Sequence, residues 1–539
     1  MSDIATRRRE LLERYLADAP EGGLDPHSTA LWAIHHARLA LGRELDKANA
    51  YFERVEHDPR PREWKDGLID TVDWDFLGIR LLKTLLDFGG TGRLTPAAEG
   101  HLREMTVNWR QPRPTVNRNN DRAVRWPEIH TENHDLMCIT LGLFREHLAG
   151  RPTDSIARAL AQSLSWRFRR GWREWNSKVY QVHYLLPALI LARHAPDERI
   201  RTAAGELIQV QMAERALLSM NGHLGGPFCR GYEPQFDSER NDFYLPVMRM
   251  AFGLGEAFGD LSREDAGNHR PAATALGRMH EGVAFAAEGF EPHPIVAALA
   301  EEAASRPLLD YRGTRFAPWL LERERVLIRY YNTPHVSMGS MRASGRGFQS
   351  RFLEVLFAES PDMHLRTDLR DTVTQTPWDT RNERGQAAQH ANWLVSRGTL
   401  VAQGGLEPQR VGEWDLFAAG RGLCAHAELP GGWHLFQAGD LDQWTTDQAF
   451  IAALHRPELS DGHIRGRTTG GERVNVDLSD MSVKVNGRDE QWYNKLHNCP
   501  QMQADWEDGA VTVRASAGTL ELSDAVLHPL LDGSQGGRP

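Results

Sequence analysis

The densest group of proton-active side chains lies in the stretch RWPEIHTENHDLM, at the start of an apolar segment. Asn133 and His134 follow Thr131, a residue type that commonly caps helix N-termini. Because the positive end of a helix dipole disfavours imidazolium, we expect a neutral histidine there. A neutral imidazole can accept a proton next to a carboxylate while an amide hydrogen-bonds that carboxylate. The alternative is that both residues only cap and solvate a helix end.

A second polar stripe lies in GWREWNSKVYQVHYLLPALILA, an otherwise apolar stretch that predicts a buried helix. Arg173, Tyr180 and Tyr184 recur at helical spacing, and His183 lies alongside them. Polar residues on a mostly buried helix are typical of a cleft. A tyrosine in a cleft can donate a proton, or accept one when a nearby cation has drawn off its own. The alternative is a set of buried polar groups that are satisfied by neighbouring loops.

Two loops contribute further candidates for substrate binding. The loop PTVNRNNDRAVRWPE combines Asn, Arg and Trp, which suit hydrogen bonding to a sugar and stacking on it. In the glycine-rich loop NGHLGGPFCRGYEPQFDSERNDFYLP, Arg230 and Tyr232 can complete a carboxylate clamp, and Tyr244 competes with Tyr180 as proton donor. Both loops can equally be structural linkers, and Trp175 can stack on a sugar or pack in the core. The predicted substrate-binding residues are Asn119, Arg122, Trp126, Glu132, Trp175, Arg230, Tyr232 and Tyr244.

Carboxylates near the same segments leave a second type of chemistry open. Glu128, Glu132, Asp135 and Glu174 could supply the pair that glycoside hydrolysis needs, one carboxyl with a raised pKa and one ordinary carboxylate. The sequence does not give their separation. It contains no HExxH motif and no glycine-rich loop followed by a phosphate-binding lysine, so we predict neither a metal nor a cofactor.

The segments that carry these residues belong to a helical first region. Up to about Arg325, apolar residues recur with the period of a helix. STALWAIHHARLALGRELDKANAYFERV begins at Ser28, a preferred N-cap residue, and WDFLGIRLLKTLLDFGG ends in a glycine pair. About a dozen such segments joined by short turns favour stacked helical hairpins over a small bundle.

The second region shows the alternation of β-strands. After about Ile328 the apolar period is two, with turn residues between the runs. ELPGGWHLF and KVNGRDE read as hairpins. We therefore predict a helical catalytic domain over 1–325, an antiparallel β-sandwich over 326–530 and a disordered tail over 531–539.

Composition narrows the cellular role of this 539-residue chain. A formal net charge of -10 without a long basic run disfavours a nucleic-acid partner. No run of about 18 apolar residues occurs, so we predict no membrane span. Four cysteines without a CxxC pair are typical of buried thiols in a reducing compartment. Since the N-terminus has no apolar leader, the sequence predicts a cytoplasmic protein. It leaves the oligomeric state open.

Helical hairpins followed by an antiparallel sandwich resemble polysaccharide lyases of the alginate lyase and heparinase-like type. The pair Asn133–His134, followed by an arginine and a tyrosine seven residues apart at 173 and 180, is similar to the alginate lyase pattern. Glu132 stands where that pattern often has a second asparagine. The resemblance implies an (α/α) toroid in which Asn, His and Arg neutralise a uronate carboxylate and Tyr or His removes the C5 proton. The same tyrosine then protonates the leaving oxygen, which gives a 4,5-unsaturated sugar.

The predicted function is thus a lyase that cleaves a uronate-containing poly- or oligosaccharide by β-elimination. A cytoplasmic member would act on an imported acidic oligosaccharide or on a small acidic substrate. The predicted catalytic residues are Tyr180, His134, Asn133, Arg173 and His183. A glycoside hydrolase on the same helical toroid and a non-catalytic carbohydrate-binding protein are the alternatives.

Overall fold

The chain forms a helical first part followed by antiparallel β-sheets, which is the α+β arrangement that the sequence predicts. The computed structural model describes residues 3–18, 24, 28–56, 62–63, 69–70, 74–108, 132–231, 241–255, 273–303, 305–316, 325–348, 350–368, 382–490 and 494–532. The helices of the first part are α1 Ile4–Asp18, α2 Thr29–Leu41, α3 Leu45–Phe52, α4 Trp74–Phe88, α5 Pro96–Val107, α6 Glu132–Leu148, α7 Asp154–Arg170, α8 Gln181–His194, α9 Glu198–Leu218, α10 Leu245–Phe252, α11 Ala273–Glu288 and α12 Pro294–Ala303. A short ribbon of β1 Arg62–Glu63 and β2 Ile69–Asp70 lies between α3 and α4.

Local capping signals set several helix ends where the sequence predicts them. The Ser28 hydroxyl accepts a hydrogen bond from the Leu31 backbone N–H at 3.2 Å and caps α2. Thr95 caps α5 in the same way through Ala98 at 3.1 Å. Helix α4 ends at the predicted glycine pair, and the second glycine, Gly90, adopts a φ of 69° that other residues rarely adopt.

The described residues of the two segments singled out in the sequence lie in α6 and in or just before α8, and these helices pack on each other and on α4 and α11. Helix α6 packs on both α4 and α8, and α8 packs on α11. Helices α1 and α2 also pack on α11, so the beginning and the end of the helical part are in contact. The closure of these helices into a toroid stays a prediction.

One predicted helix begins later than expected. Residues 171–180 form turns, and α8 starts only at Gln181. Gly171 and Asn176 have φ values of 69° and 54°, which a right-handed helix does not accommodate. The Asn176 side-chain amide is held by a residue distant in sequence, since it donates a hydrogen bond to the Tyr330 hydroxyl at 2.9 Å. The helical stripe predicted for Arg173 and Tyr180 is therefore wrong, because a long-range contact overrides the local periodicity.

The second part is built from two antiparallel sheets. The strands are β3 Leu309–Phe316, β4 Arg325–Asn332, β5 Val336–Phe348, β6 Leu353–Phe357, β7 His364–Asp368, β8 Asn382–His390, β9 Trp393–Arg397, β10 Thr399–Ala402, β11 Gln409–Val411, β12 Trp414–Ala419, β13 Gly422–Leu429, β14 Trp433–Asp440, β15 Glu458–Ser460, β16 His463–Arg467, β17 Arg473–Asp477, β18 Val483–Val485, β19 Arg488–Asp489, β20 Lys495–Asn498, β21 Met502–Asp505, β22 Ala510–Ala515 and β23 Gly518–Ser523. Among the described residues the larger sheet has sixteen strands and follows the order β11-β12-β13-β14-β9-β8-β5-β4-β3-β20-β21-β22-β23, with β6, β7 and β10 paired beside this path. The smaller sheet has the order β15-β16-β17-β18-β19. Short helices α13 Asp447–Ala452 and α14 His528–Leu531 and a 3₁₀ turn at Ala525–Leu527 complete this part.

The two sheets share an apolar core, and the predicted hairpins are present. Trp393 and Leu435 of the larger sheet belong to one buried cluster with Ile464 and Val476 of the smaller sheet. The β13–β14 hairpin pairs residues 429 and 433 across the predicted glycine turn. In the β18–β19 hairpin, Asn486 and its glycine neighbour both have positive φ, as a two-residue turn between twisted strands requires.

The sheets begin upstream of the predicted boundary at 325. Helix α12 ends at Ala303 and β3 starts at Leu309, in register with β4. Residues 317–324, at the end of the predicted helical region, lie outside the described residues, and Arg325 is the first residue of β4. Of the predicted tail, 533–539 lie outside the described residues, whereas Leu531 is the last residue of α14.

The cysteines agree with the prediction, since all four are buried and carry free thiols. Within the part of the chain that the structure describes, no helix has the length and the apolar character needed to cross a bilayer.

Candidate functional site

The site is built around His134, in the first turn of α6. Its Nδ1 lies 2.5 Å from Oδ2 of Asp75, the buried second residue of α4. A carboxylate at this distance orients the imidazole and holds the proton on Nδ1, which leaves Nε2 as the basic nitrogen. The position in the first turn agrees with the sequence, while the predicted cap, Thr131, lies outside the described residues.

Asn133, the neighbour of His134, has a fully buried side chain. Neither its amide nitrogen nor its amide oxygen forms a hydrogen bond with any described residue. Buried amides without partners are rare, because each unmet group costs about 1–3 kcal/mol. This amide is therefore available to a group that enters the site.

A second imidazole–carboxylate pair lies beside the first. Nδ1 of His183, in the first turn of α8, is 2.9 Å from Oε1 of Glu281 on α11. Burial, together with the nearby Arg80 charge, holds the pKa of His183 well below its ordinary value, so the imidazole is neutral. Phe76 contacts both imidazoles edge to face, each at a centroid distance of 5.1 Å. We refer to Asp75, Phe76, His134, His183 and Glu281 as the histidine cluster.

Tyr180 adjoins this cluster from the turn that precedes α8. It is partly exposed, and its ring centroid lies 5.9 Å from that of His183. The guanidinium carbon of Arg230 lies 4.8 Å from the Tyr180 ring. Arg230 adopts a φ of 58° and donates from Nε to Oε1 of Glu174 at 2.9 Å, which fixes its direction. A partly exposed phenol, a neutral imidazole and a guanidinium thus meet at one place.

The predicted arginine, Arg173, makes its contacts elsewhere. Its guanidinium carbon lies 5.2 Å from the Trp166 ring and 5.6 Å from that of Phe316, in β3. This direction follows from the turn conformation of 171–180, since a continuous helix would have placed it on the face of Tyr180. Arg230, and not Arg173, has its guanidinium over the Tyr180 ring.

Two acidic residues of α6 are buried with raised pKa values. Burial raises the pKa of Glu132 to about 7, with Arg167 opposing the shift and Glu174 adding to it. Burial likewise raises the pKa of Asp135 to about 8. Oε2 of Glu132 accepts the backbone N–H groups of Arg173 at 2.7 Å and Glu174 at 3.1 Å. Glu132 therefore ties the start of α6 to the turn before α8, which is a structural task for a residue predicted to bind substrate.

Two other predicted substrate-binding residues lie in the interior. Trp175 is buried and donates from its indole nitrogen to the Phe316 carbonyl at 2.9 Å. Tyr244 is fully buried under the Arg215 guanidinium, 4.9 Å from its ring, and burial raises its pKa. These positions favour the alternatives to substrate binding, which are core packing for Trp175 and a structural loop for Tyr244. Asn119, Arg122, Trp126 and Tyr232 lie outside the described residues.

Sequence reasoning missed the carboxylates that orient the histidines. Asp75 and Arg80 are buried charges on the apolar helix α4, and Glu281 follows His280 on α11. Charged residues inside an apolar helical run were the available signal, because such residues are rarely buried without a partner. The pairing of His183 with Glu281 could not be predicted from the sequence, since the two residues are 98 positions apart.

Comparison with models of known protein families, with curated proteins and with solved structures gives no match to this chain. The residues and contacts described above are therefore the basis for a functional proposal.

Proposed function

We propose that this protein is a lyase that cleaves a uronate-containing oligosaccharide by β-elimination. The observation that carries the proposal is the pair of carboxylate-held imidazoles that both contact Phe76, with the phenol ring of Tyr180 beside one of them. A carboxylate on Nδ1 makes Nε2 the proton acceptor in each imidazole. Elimination next to a carboxylate needs such a base and a proton donor.

The substrate carboxylate would be neutralised by groups that the site presents. The buried amide of Asn133 is a hydrogen-bond donor without a partner among the described residues. Arg230 supplies a positive charge next to Tyr180 and replaces Arg173 in the proposed role. Both groups would stabilise the charge that moves onto the carboxylate as the C5 proton leaves.

The proposed reaction consists of two proton transfers and the cleavage of one C–O bond. The base, His134 or His183 through Nε2, or the Tyr180 phenolate, takes the C5 proton. The C5–H electron pair forms the C4–C5 double bond as the C4–O bond breaks. The phenol of Tyr180 then gives a proton to the leaving oxygen, and the nearby Arg230 guanidinium favours the phenolate that results.

The test is the appearance of the unsaturated product. Purified full-length protein is mixed with alginate, glucuronan, glycosaminoglycan and pectate oligomers, and ultraviolet absorbance is followed. We expect a rise with wild type and a loss of about 10²–10⁴-fold in rate for Tyr180→Phe, the range for removal of a general acid or base. Tyr51→Phe on α3 is the matched control, because its ring stacks on His35 outside the histidine cluster. Equal rates for both variants would refute the role of Tyr180.

Glycoside hydrolysis is the second candidate. It is favoured by the raised pKa values of Glu132 and Asp135, because a hydrolase needs a carboxyl that stays protonated near neutral pH. Release of reducing sugar without an unsaturated product, together with inactivation by Glu132→Gln or Asp135→Asn, would establish it. Tight oligosaccharide binding without either product would instead indicate a carbohydrate-binding protein.

A further inference from the structure

We propose that His183, His280 and Glu281 bind a divalent transition-metal ion, with Zn²⁺ as the expected occupant. One potential ligand atom from each residue lies within 4.8 Å of the others, and all three residues are buried. Oε1 of Glu281 is 2.9 Å from Nδ1 of His183 and 3.1 Å from Nε2 of His280. Binding of the ion does not require the lyase reaction, but an ion on His183 would leave His134 or Tyr180 as the base of that reaction, because an imidazole that ligates a metal ion cannot also accept a proton.

The ligand types fit such an ion. Two imidazole nitrogens and one carboxylate oxygen form a set that Zn²⁺ and its neighbours in the first transition row bind well, whereas Mg²⁺ and Ca²⁺ prefer oxygen alone. Three protein ligands leave a coordination position open for water or for a substrate oxygen. Tyr180 and Phe76, which contact His183, are both partly exposed, so this side of the group borders accessible space.

A second observation points to a missing partner at Glu281. The residue is only 2% exposed, and its Oε2 accepts no hydrogen bond from any described residue. A buried carboxylate oxygen without a partner is costly, and a cation is the partner that it accepts best. Two packed helices hold the group, because His183 is on α8 while the other two ligands are consecutive residues of α11.

The charges around His183, His280 and Glu281 are compatible with a bound divalent cation. Arg80 is buried and its guanidinium contacts Oε1 of Glu281, so one positive charge is already present. Glu281 and the nearby Asp75 together carry two negative charges when ionised. With neutral imidazoles the balance is one negative charge, and a divalent ion with one bound hydroxide or one anionic ligand brings it to zero. An acidic substrate would supply that anion.

The experiment uses full-length protein that has been dialysed against a chelator and then titrated with Co²⁺, a spectroscopic substitute for Zn²⁺. We expect visible absorption bands that saturate at a single ion per chain, and a rise in Tm because the ion binds only the folded state. His280→Gln and Glu281→Gln should weaken binding by on the order of 100-fold, at least the loss seen when an outer-sphere partner of a metal site is removed. His147→Gln, an exposed histidine on α6, is the matched control and should bind as wild type.

Absence of saturable Co²⁺ and Zn²⁺ binding by the wild type would overturn the proposal and leave Arg80 as the cation that serves Glu281. Binding by His280→Gln equal to that of wild type would overturn it as well. Circular dichroism shows whether each variant folds, and the wild-type titration decides the question if Glu281→Gln does not. Since the readout is binding, a protein that binds Co²⁺ but cleaves no uronate would refute the lyase and retain the metal site.

Discussion

The molecule contains two clusters of mostly buried charged residues, and they differ in how many of their polar atoms lack a hydrogen-bond partner among the described residues. In the β region, Asp310, Arg329, His390 and Glu490 form a sheet cluster in which Arg329 contacts both acids. Both ring nitrogens of His390 have acidic partners there, Glu490 at 2.8 Å and Glu472 at 2.9 Å. In the sheet cluster Oε2 of Glu490 has no hydrogen-bond partner among the described residues, whereas around the histidine cluster both polar atoms of the Asn133 amide and Oε2 of Glu281 lack one.

This difference helps to separate structural polar groups from functional ones. A network in which most of the polar groups are paired with one another stabilises one arrangement of the fold. A cluster with unmet donors and acceptors gives up stability, and it keeps those groups available for a ligand. We therefore expect a change in the histidine cluster to lower mainly the activity. An equivalent change in the sheet cluster should lower mainly the stability.

The largest expected effect is on activity in the histidine cluster. Asp75→Asn should lower the elimination rate by about 10²–10⁴-fold, because an amide no longer enforces the Nδ1–H tautomer of His134. The rate is measured by ultraviolet absorbance at saturating oligosaccharide. Thermal unfolding of the same sample should show a folded protein. A variant with an unchanged rate would remove the Asp75–His134 pair from the chemistry.

The next largest effect is on stability in the sheet cluster. Although burial alone would raise it, Arg329 holds the pKa of Asp310 below its ordinary value. Arg329→Met removes the cation from buried Glu490 and from partly exposed Asp310, so we expect the free energy of unfolding to fall by about 3–5 kcal/mol. Urea denaturation measures it, and the rate per folded molecule should stay at the wild-type value.

The matched control for this change is Arg410→Met, which breaks the pair of an exposed arginine with Asp415, 3.0 Å apart, whereas Arg329 is buried. Its cost should stay within about 1 kcal/mol. If both arginine variants cost the same, or if Arg329→Met abolished turnover, the distinction between the two clusters would fail.

A smaller effect is expected in the pH dependence of the free energy of unfolding. Because the folded-state pKa of Asp135 is about 8, above the ordinary 3.8, stability from the protonated group is present at low pH and is lost as pH rises through 8. Asp135→Asn cannot ionise and avoids this loss. Its free energy of unfolding relative to wild type should therefore increase between about pH 5 and about pH 8, by on the order of a few kcal/mol.

Urea denaturation of both proteins at each pH gives this difference, in which the contributions of buried histidines such as His183 cancel. Asp154→Asn, an exposed carboxylate in the first turn of α7, controls for removing an acid near a helix start. A relative stability of Asp135→Asn that is the same at both pH values would show that Asp135 is ionised in the folded protein.

Much of the fold could be predicted because its signals are local. Ser28 and Thr95 cap the predicted helices, and the turn at Asn486 closes a predicted hairpin. The place of His134 in a first helical turn was predicted for the same reason. The helix expected through Tyr180 failed because the conformation of Asn176 is fixed by Tyr330, 154 residues away.

Helix starts and strand turns can be located from the residue types alone, since capping and alternation depend on neighbours a few residues away. The pairing of Asp75 with His134, 59 residues apart, the pairing of Glu281 with His183 and the contact of Arg230 with Tyr180 are set by tertiary packing. Such pairs depend on how helices pack and where turns direct the chain. The physical reason is that the energy of a buried charge depends on its distant partners, which no local pattern specifies.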